Sequence, residues 1–410
     1  MPSDTQSIDP IAITSLGCVT AQGVGVRATW EGVTAMRDVI APWPDAPENL
    51  RHIKVAQCGE IPRPADLPPR LWSKLSRTQQ LAALAADEAL SSLGTDYDSL
   101  PPHRRGLFLA TTTCGMDRTE RFYEQFRADP QTADPDLLRR VLAPKLLAFI
   151  ARRHVIAGPR SLCLTTCVGS AIAIGTACDY LHAGRIDIAL AGGAETLCRT
   201  TLSGFNALKL VAPDGCRPFD KVHPGITVGE GAGMLVLERL ADARARNANI
   251  IALITGFAAT CDAHHLTAPE PTGTQAVRAL QMALAQANLS ASQIGYVNAH
   301  GTGTKENDTT ETAILRKTFG PEVDRIPPVS STKRLTGHTF GAAGAIETIL
   351  SALSLQTQTL PANAGTVDAD ATLPLIGRTH PASIQSALTC NFAFGGNNTA
   401  IVLQYRGGGA

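Results

Sequence analysis

The chain has 410 residues, with 36 Lys+Arg balanced by 36 Asp+Glu, so no summed field draws it to nucleic acid or to an anionic membrane. Hydrophobic residues make up 44% and charged residues 18%, which excludes a disordered chain and leaves room for two or three domains, or for one core built in two halves. The ten cysteines are scattered without a C-x-x-C pair, no apolar run reaches the roughly 18 residues of a membrane span, and Met1 to Asp9 lack the basic and apolar regions of a signal peptide. A reducing, cytoplasmic setting is expected.

In chain order, a first helix carries Leu81, Leu84, Ala85 and Ala89 at helical spacing and runs into an apolar strand, Gly106 to Thr112. Pro130 to Leu147 reads as a helical insertion. A short strand, Leu162 to Cys167, turns directly into a helix from Val168 to Ala183. That helix is apolar almost all round and is therefore expected to be buried on every side. A glycine turn at Gly229 opens the next strand, which ends at Glu238, and the charged stretch Arg244 to Ile250 marks a boundary. Beyond it the order repeats. A helix with Val277, Leu280 and Leu284 precedes a strand from Ile294 to Thr302. A strand from Val329 to Lys333 then leads into a helix from Phe340 to Leu355, striped by Ala342, Ala345, Ile346, Ile349, Leu350 and Leu353, with Glu347 off the stripe. A glycine turn at Gly395 opens the last strand. The repeat predicts a duplicated α/β fold of two halves, 1–250 and 251–410, sharing a central helix layer.

Cys167 sits where a strand becomes a buried helix, and the amides and dipole of a helix start favour a thiolate there. His300 ends an apolar strand in Asn298-Ala-His-Gly-Thr-Gly-Thr304, and His338 lies in a polar loop before a small-residue helix. Each residue alone is commonly structural. Together, at related places of a duplicated fold, they point to nucleophilic catalysis. Cys163 with Cys167 makes a poor metal pair, because no second Cys/His pair matches their spacing, and adjacent His264 and His265 point in different directions, one of them expected at a pocket. Gly229-Glu-Gly-Ala-Gly233 precedes a strand and lacks the P-loop lysine, so no nucleotide site is read there.

With Thr166-Cys-Val-Gly-Ser170, Arg217-Pro-Phe-Asp-Lys221, Gly229-Glu-Gly-Ala-Gly233, Asn298 to Thr304, Lys333 with Gly337-His338, Gly341-Ala-Ala-Gly344 and Phe392-Ala-Phe-Gly-Gly396 in order, the chain resembles the elongating β-ketoacyl-[acyl carrier protein] synthases. The resemblance covers nearly the whole chain. It implies a thiolase-like, duplicated five-layer αβαβα fold and a decarboxylative condensation of an acyl group held on Cys167 with malonyl-acyl carrier protein. His300 and His338 would act on the malonyl thioester, and the amides of Cys167 and Phe394 would form an oxyanion hole, with Phe394 also the gate between the malonyl and acyl sites. Lys333 and Glu311, with Asp308 nearby, would be buried charged support, and Thr302 and Thr304 would bind the pantetheine arm.

The resemblance implies no metal, no nucleotide and no cofactor of the enzyme's own, since the substrates ride on the 4'-phosphopantetheine of an acyl carrier protein. It also implies a dimer, with an identical chain or with a chain-length-factor-like partner, through the edge at Ser161 to Thr165. Three departures stand out: His223-Pro-Gly-Ile226 replaces Arg-Asp-Gly-Phe, Ala393 replaces glycine, and Asn397 replaces threonine or histidine. Thr113, in Thr111-Thr-Thr-Cys-Gly115, would place a small polar side chain at the floor of the acyl channel, which suits a polyene or polyketide chain. A thiolase would need a second catalytic cysteine in a Cys-x-Gly turn, and Cys390 precedes Asn391-Phe392. A starter-type enzyme would carry asparagine in place of His338. A silent carrier-binding partner would lack Cys167.

Overall fold

The computed structural model describes residues 9–139, 141–369 and 371–405; the expectation of no secretory leader falls almost wholly outside them. The first half runs β1 (Ile11–Thr20), α1 (Arg77–Ser91), β2 (Arg105–Ala110), β3 (Arg160–Cys163), α2 (Gly169–His182), β4 (Ile188–Glu195) and β5 (Gly231–Arg239). The second half repeats the order: β6 (Ala252–Cys261), α3 (Thr274–Gln286), β7 (Val297–Asn298), α4 (Lys305–Phe319), β8 (Val329–Ser330), α5 (Ala343–Thr357), β9 (Ser386–Ala393) and β10 (Asn397–Gln404).

Strand order is the same in both halves, β3-β2-β4-β5-β1 and β8-β7-β9-β10-β6. The two outermost ladders of each half are parallel and the remaining two antiparallel. The sheets meet edge to edge where β1 pairs antiparallel with β6, Ile11 opposite Ile254 and Ile13 opposite Ala252. β3 closes one end of the strand path and pairs only with β2.

Three apolar clusters separate the layers. The central one joins Ile174 and Leu181 of α2 and Ile346 and Ile349 of α5 to Leu235 and Ile401, one strand residue from each half. On one outer side Leu81, Ala85 and Ala89 of α1 cover Leu107 and Val236. On the other, Leu280 of α3 and Ile314 of α4 cover Leu388 and Val402. Helices therefore lie outside, between and outside the two sheets, the expected five-layer αβαβα arrangement.

Small residues make this stacking feasible. A capping box between Ser76 and Gln79 starts α1, whose alanines bring its backbone so close to β1 that a Cβ on Gly17 would lie 1.8 Å from the Ala85 carbonyl oxygen. In the central layer, a Cβ on Gly344 of α5 would lie 2.9 Å from the Ala171 nitrogen of α2. The Ser170 hydroxyl accepts the Ala345 amide at 2.9 Å, so the first half satisfies an otherwise unpaired amide at the start of the second half's helix.

Four expectations change. The insertion is helical at Met116–Ala128, Asp136–Arg139 and Pro144–Arg153, so it begins before Pro130, and Pro130 itself lies in a turn. The strand read from Ile294 to Thr302 is regular only over β7, its backbone bonds to neighbouring segments running from Gly295 to Ala299, and the chain then turns at Gly301 and Gly303, both of positive φ. Lys333, read as the end of a strand, opens a short helix, Lys333–Thr336. Helix α5 carries no stripe: from Ala343 to Leu355 it is buried on all faces, Glu347 included. No helix among the described residues is long and apolar enough to cross a membrane.

Candidate active site

The ends of β7, β3 and β9 and the start of α2 converge on a cavity of about 810 Å³ lined by Cys167, His300, His338, Phe392, Phe394 and Thr302. Cys167 occupies a 3-10 turn, Thr166–Val168, immediately before α2. Thr166 has a φ of 49°, a left-handed backbone that a β-branched residue adopts only at a cost of about 1–3 kcal/mol. The turn is held from the other half, as the Thr166 hydroxyl donates to the Phe394 carbonyl at 3.2 Å.

Cys167 Sγ lies 3.1 Å from His338 Nε2. The two imidazoles meet edge to face with ring centres 5.3 Å apart. Burial pushes the Cys167 thiol up to about 12, although Lys333 acts in the opposite sense. Burial thus opposes the thiolate that a helix start favours. Burial first, and Lys333 second, hold both histidines well below the ordinary histidine value. Each is neutral and has one lone pair to use.

Which nitrogen carries the proton follows from the neighbours. Lys333 Nζ lies 3.3 Å and Asn391 Nδ2 3.5 Å from His300 Nδ1. Both are donors, so Nδ1 accepts and Nε2 is left as an N–H. His338 Nε2 faces the thiol at hydrogen-bond distance, while its Nδ1 has no hydrogen-bond partner among the described residues.

Lys333 is 1% exposed and Glu347 3%. The ammonium donates to the Glu347 carboxylate and to the His300 carbonyl oxygen at 2.6 Å. Its ion-pair partner is Glu347 of α5. Glu311 accepts the amides of His300 and Gly301, both at 2.7 Å, and burial pushes its carboxyl up to about 7. Asp308 accepts the amides of Phe219 at 2.7 Å and Gly303 at 3.1 Å. These two carboxylates pin the glycine loop that presents His300, rather than neutralising the lysine.

Thr302 and Thr304 line the cavity with their hydroxyls 3.0 Å apart, and Thr304 also caps α4. Phe394 is half-buried and stacks on Phe205, with ring centres 5.6 Å apart. Thr113 does not line the cavity; Thr112 does. The Thr113 hydroxyl and amide bind Glu195 instead, which also takes the amides of Thr112 at 2.6 Å and Gly341 at 3.3 Å. His264 and His265 are exposed and neither lines the cavity; His265 Nδ1 accepts the amides of Thr267 and Ala268. His223, at the departure from the family pattern, has a φ of 47° and lies 3.9 Å from Asp308. Asp308 also holds its imidazole above the ordinary histidine value.

Glu195, Glu347 and Asn391 were missed by sequence reasoning. Glu347 had a usable signal, because a lone carboxylate in an otherwise uncharged, buried helix calls for a buried partner.

The buried neutral histidines have a measurable consequence. Unfolded, each takes up a proton as pH falls through about 6.5, whereas folded it does not. Their stabilisation is thus complete above that pH and is lost as pH falls toward the depressed folded values. In His338→Gln, the slope of unfolding free energy against pH between about 5 and 6 should be shallower by up to ~1.4 kcal/mol per pH unit. An unchanged slope would mean that His338 titrates normally in the folded protein.

A five-layer duplicated fold with a cysteine at the start of one central helix and two histidines facing it is the architecture of the thiolase-like condensing proteins. The chain belongs to the β-ketoacyl synthase family: the family's N-terminal domain matches residues 8–243 and its C-terminal domain residues 251–366. A relative from Streptomyces cyaneus, provisionally named polyketide beta-ketoacyl synthase 1, is 34% identical over 96% of this chain and 97% of its own. The 3-oxoacyl-[acyl-carrier-protein] synthase 2 of Staphylococcus aureus is 30% identical over 96% of this chain and 98% of its own. Among solved structures, the ishigamide ketosynthase/chain length factor superposes with a TM-score of 0.90 at 31% identity, covering 97% of this chain and 100% of that one.

Proposed function

We propose that the protein is a catalytically active β-ketoacyl synthase that condenses an acyl group held on Cys167 with malonyl-acyl carrier protein, lengthening the chain by two carbons. The observation that carries this reading is the 3.1 Å contact between Cys167 Sγ and a neutral His338 Nε2 inside the cavity. A thiol that resists ionisation needs a base in contact at the moment of attack, and an uncharged imidazole is one.

In the first step Cys167 Sγ attacks the acyl thioester while its proton passes to His338, and the departing pantetheine sulfur is protonated. The amides of Cys167 and Phe394 would hold the tetrahedral oxyanion. In the second step the malonyl C–C bond breaks, carbon dioxide leaves, and the electron pair forms an enolate on the thioester oxygen. His300 Nε2–H, fixed by Lys333 behind it, donates to that oxygen. Once Cys167 is acylated it has no thiol proton to offer; His338, whose Nδ1 has no partner among the described residues, then carries its one proton on Nε2 and donates there too. The enolate carbon attacks the acyl-Cys167 carbonyl, and the cysteine sulfur leaves and is reprotonated. Thr302 and Thr304 would guide the pantetheine arm, Phe394 would gate the passage, and the two halves, 1–250 and 251–410, would supply the nucleophile and the histidines respectively. No cofactor beyond the carrier's phosphopantetheine enters the scheme.

Names among the relatives support an acyl carrier protein as substrate carrier and a chain-length-factor-type subunit or second copy as partner at the β3 edge. Because one solved relative pairs a ketosynthase with a chain length factor, the competing reading is a silent subunit, and Cys167 speaks against it. The deciding experiment is intact-protein mass spectrometry of wild type and Cys167→Ala with a panel of acyl-carrier proteins, followed by malonyl-carrier protein. Adducts on wild type alone, discharged as a product two carbons longer, are expected. No adduct from any donor, or equal labelling of Cys167→Ala, would overturn Cys167 as the nucleophile and return the silent reading. The same panel ranks saturated against polyene or oxygenated chains, which tests the proposed specialised pathway.

A further inference from the structure

Cys167 Sγ and one ring nitrogen each of His300 and His338 lie within 4.8 Å of one another, and all three residues are buried. A thiolate and two imidazoles form a ligand set for zinc-class ions, with bonds of about 2.0–2.3 Å and a fourth position left open. The cavity that the three residues line together supplies that open position. Modest side-chain rotation would bring the donors to the ~3.5 Å separations that such bonds impose.

Lys333 stands against capture. Its ammonium can only donate, so at 3.3 Å it obliges His300 Nδ1 to accept and Nε2 to keep its proton. A protonated ring nitrogen has no lone pair for a metal. To ligate through Nε2, His300 would have to carry its proton on Nδ1, pointing at both the ammonium and the Asn391 amide. The ammonium cannot swing aside, because Glu347 and the His300 carbonyl oxygen anchor it. Its charge also repels a dication across a water-poor interior.

We propose that Lys333 excludes thiophilic divalent cations from the Cys167–His300–His338 cluster, and that without it the cluster is a latent Zn²⁺ or Co²⁺ site. Capture would replace the Cys167 S–H bond with a sulfur–metal bond and release the proton to solvent, with no change of oxidation state. The role is separate from condensation, and its readout is metal binding, so it stands or falls independently of the enzymatic reading.

The test compares wild type, Lys333→Met and Lys333→Met/Glu347→Gln, the last removing both buried charges so that neither is left uncompensated. Near-ultraviolet circular dichroism establishes which variants keep native packing. Each packed protein is titrated anaerobically with Co²⁺, read by its thiolate-to-cobalt charge-transfer absorption, and then with Zn²⁺ by displacement. Binding about 10–100-fold tighter than wild type, the range by which groups behind metal-binding histidines change affinity, is expected, with the absorption lost when Cys167→Ala is added. Equal affinity in wild type and the packed variants would overturn the proposal. So would absence of binding in every packed variant, or binding that persists without Cys167.

Discussion

In His300→Ala, condensation is expected to fall by about 10²–10³, the cost of removing one well-aimed oxyanion donor, while acylation of Cys167 survives within a few-fold. The separation follows from the hydrogen bonds. His338, not His300, contacts the thiol, whereas His300 has its Nδ1 occupied by Lys333 and Asn391 and presents only an N–H to the cavity. An N–H without a free lone pair cannot take the cysteine proton, yet it can stabilise an enolate as charge develops. Single-turnover acylation followed by mass, alongside steady-state condensation, checks this. Equal loss in both steps would show that His300 serves the nucleophile, and the division of labour between the histidines would have to be abandoned.

The second large effect concerns stability. Glu347→Ala removes the carboxylate partner of a lysine that is 1% exposed, leaving a buried charge uncompensated at a cost of about 3–5 kcal/mol. Lys333→Met/Glu347→Gln should recover most of that loss, since an apolar side chain and an uncharged amide carry no such penalty. Chemical denaturation of the three proteins decides it. A loss below about 1 kcal/mol in Glu347→Ala would mean that water or Asn391 compensates the lysine, as at exposed pairs.

These two predictions separate what was legible in the chain from what was not. Cys167, His300 and His338 were readable because each follows a recognisable local event: a strand end, a glycine turn, a small-residue helix start. Thr302, Thr304 and Phe394 follow the same loops and do line the cavity. Thr113 sits beside the cavity while its neighbour Thr112 faces it: in a loop of three successive threonines, which one turns inward depends on Glu195, contributed by a strand some 80 residues later. The ion-pair partner of Lys333 was not legible for a related reason. Glu311, Asp308 and Glu347 all lie within one sequence region, and only packing decides which reaches the ammonium and which turn back to backbone amides.

Periodicity, small-residue helices and the repeated order of elements were enough to determine a duplicated, helix-covered α/β fold and to single out Cys167, His300 and His338, which the fold brings to one cavity, because these are properties of contiguous stretches of chain. Tertiary structure alone decided the charge states. Burial works against the charged forms of the thiol and of both imidazoles, and Lys333 sets the His300 tautomer from the short helix that it opens. Dielectric surroundings and long-range donors are set by which segments meet in space, and no local pattern of residues encodes them.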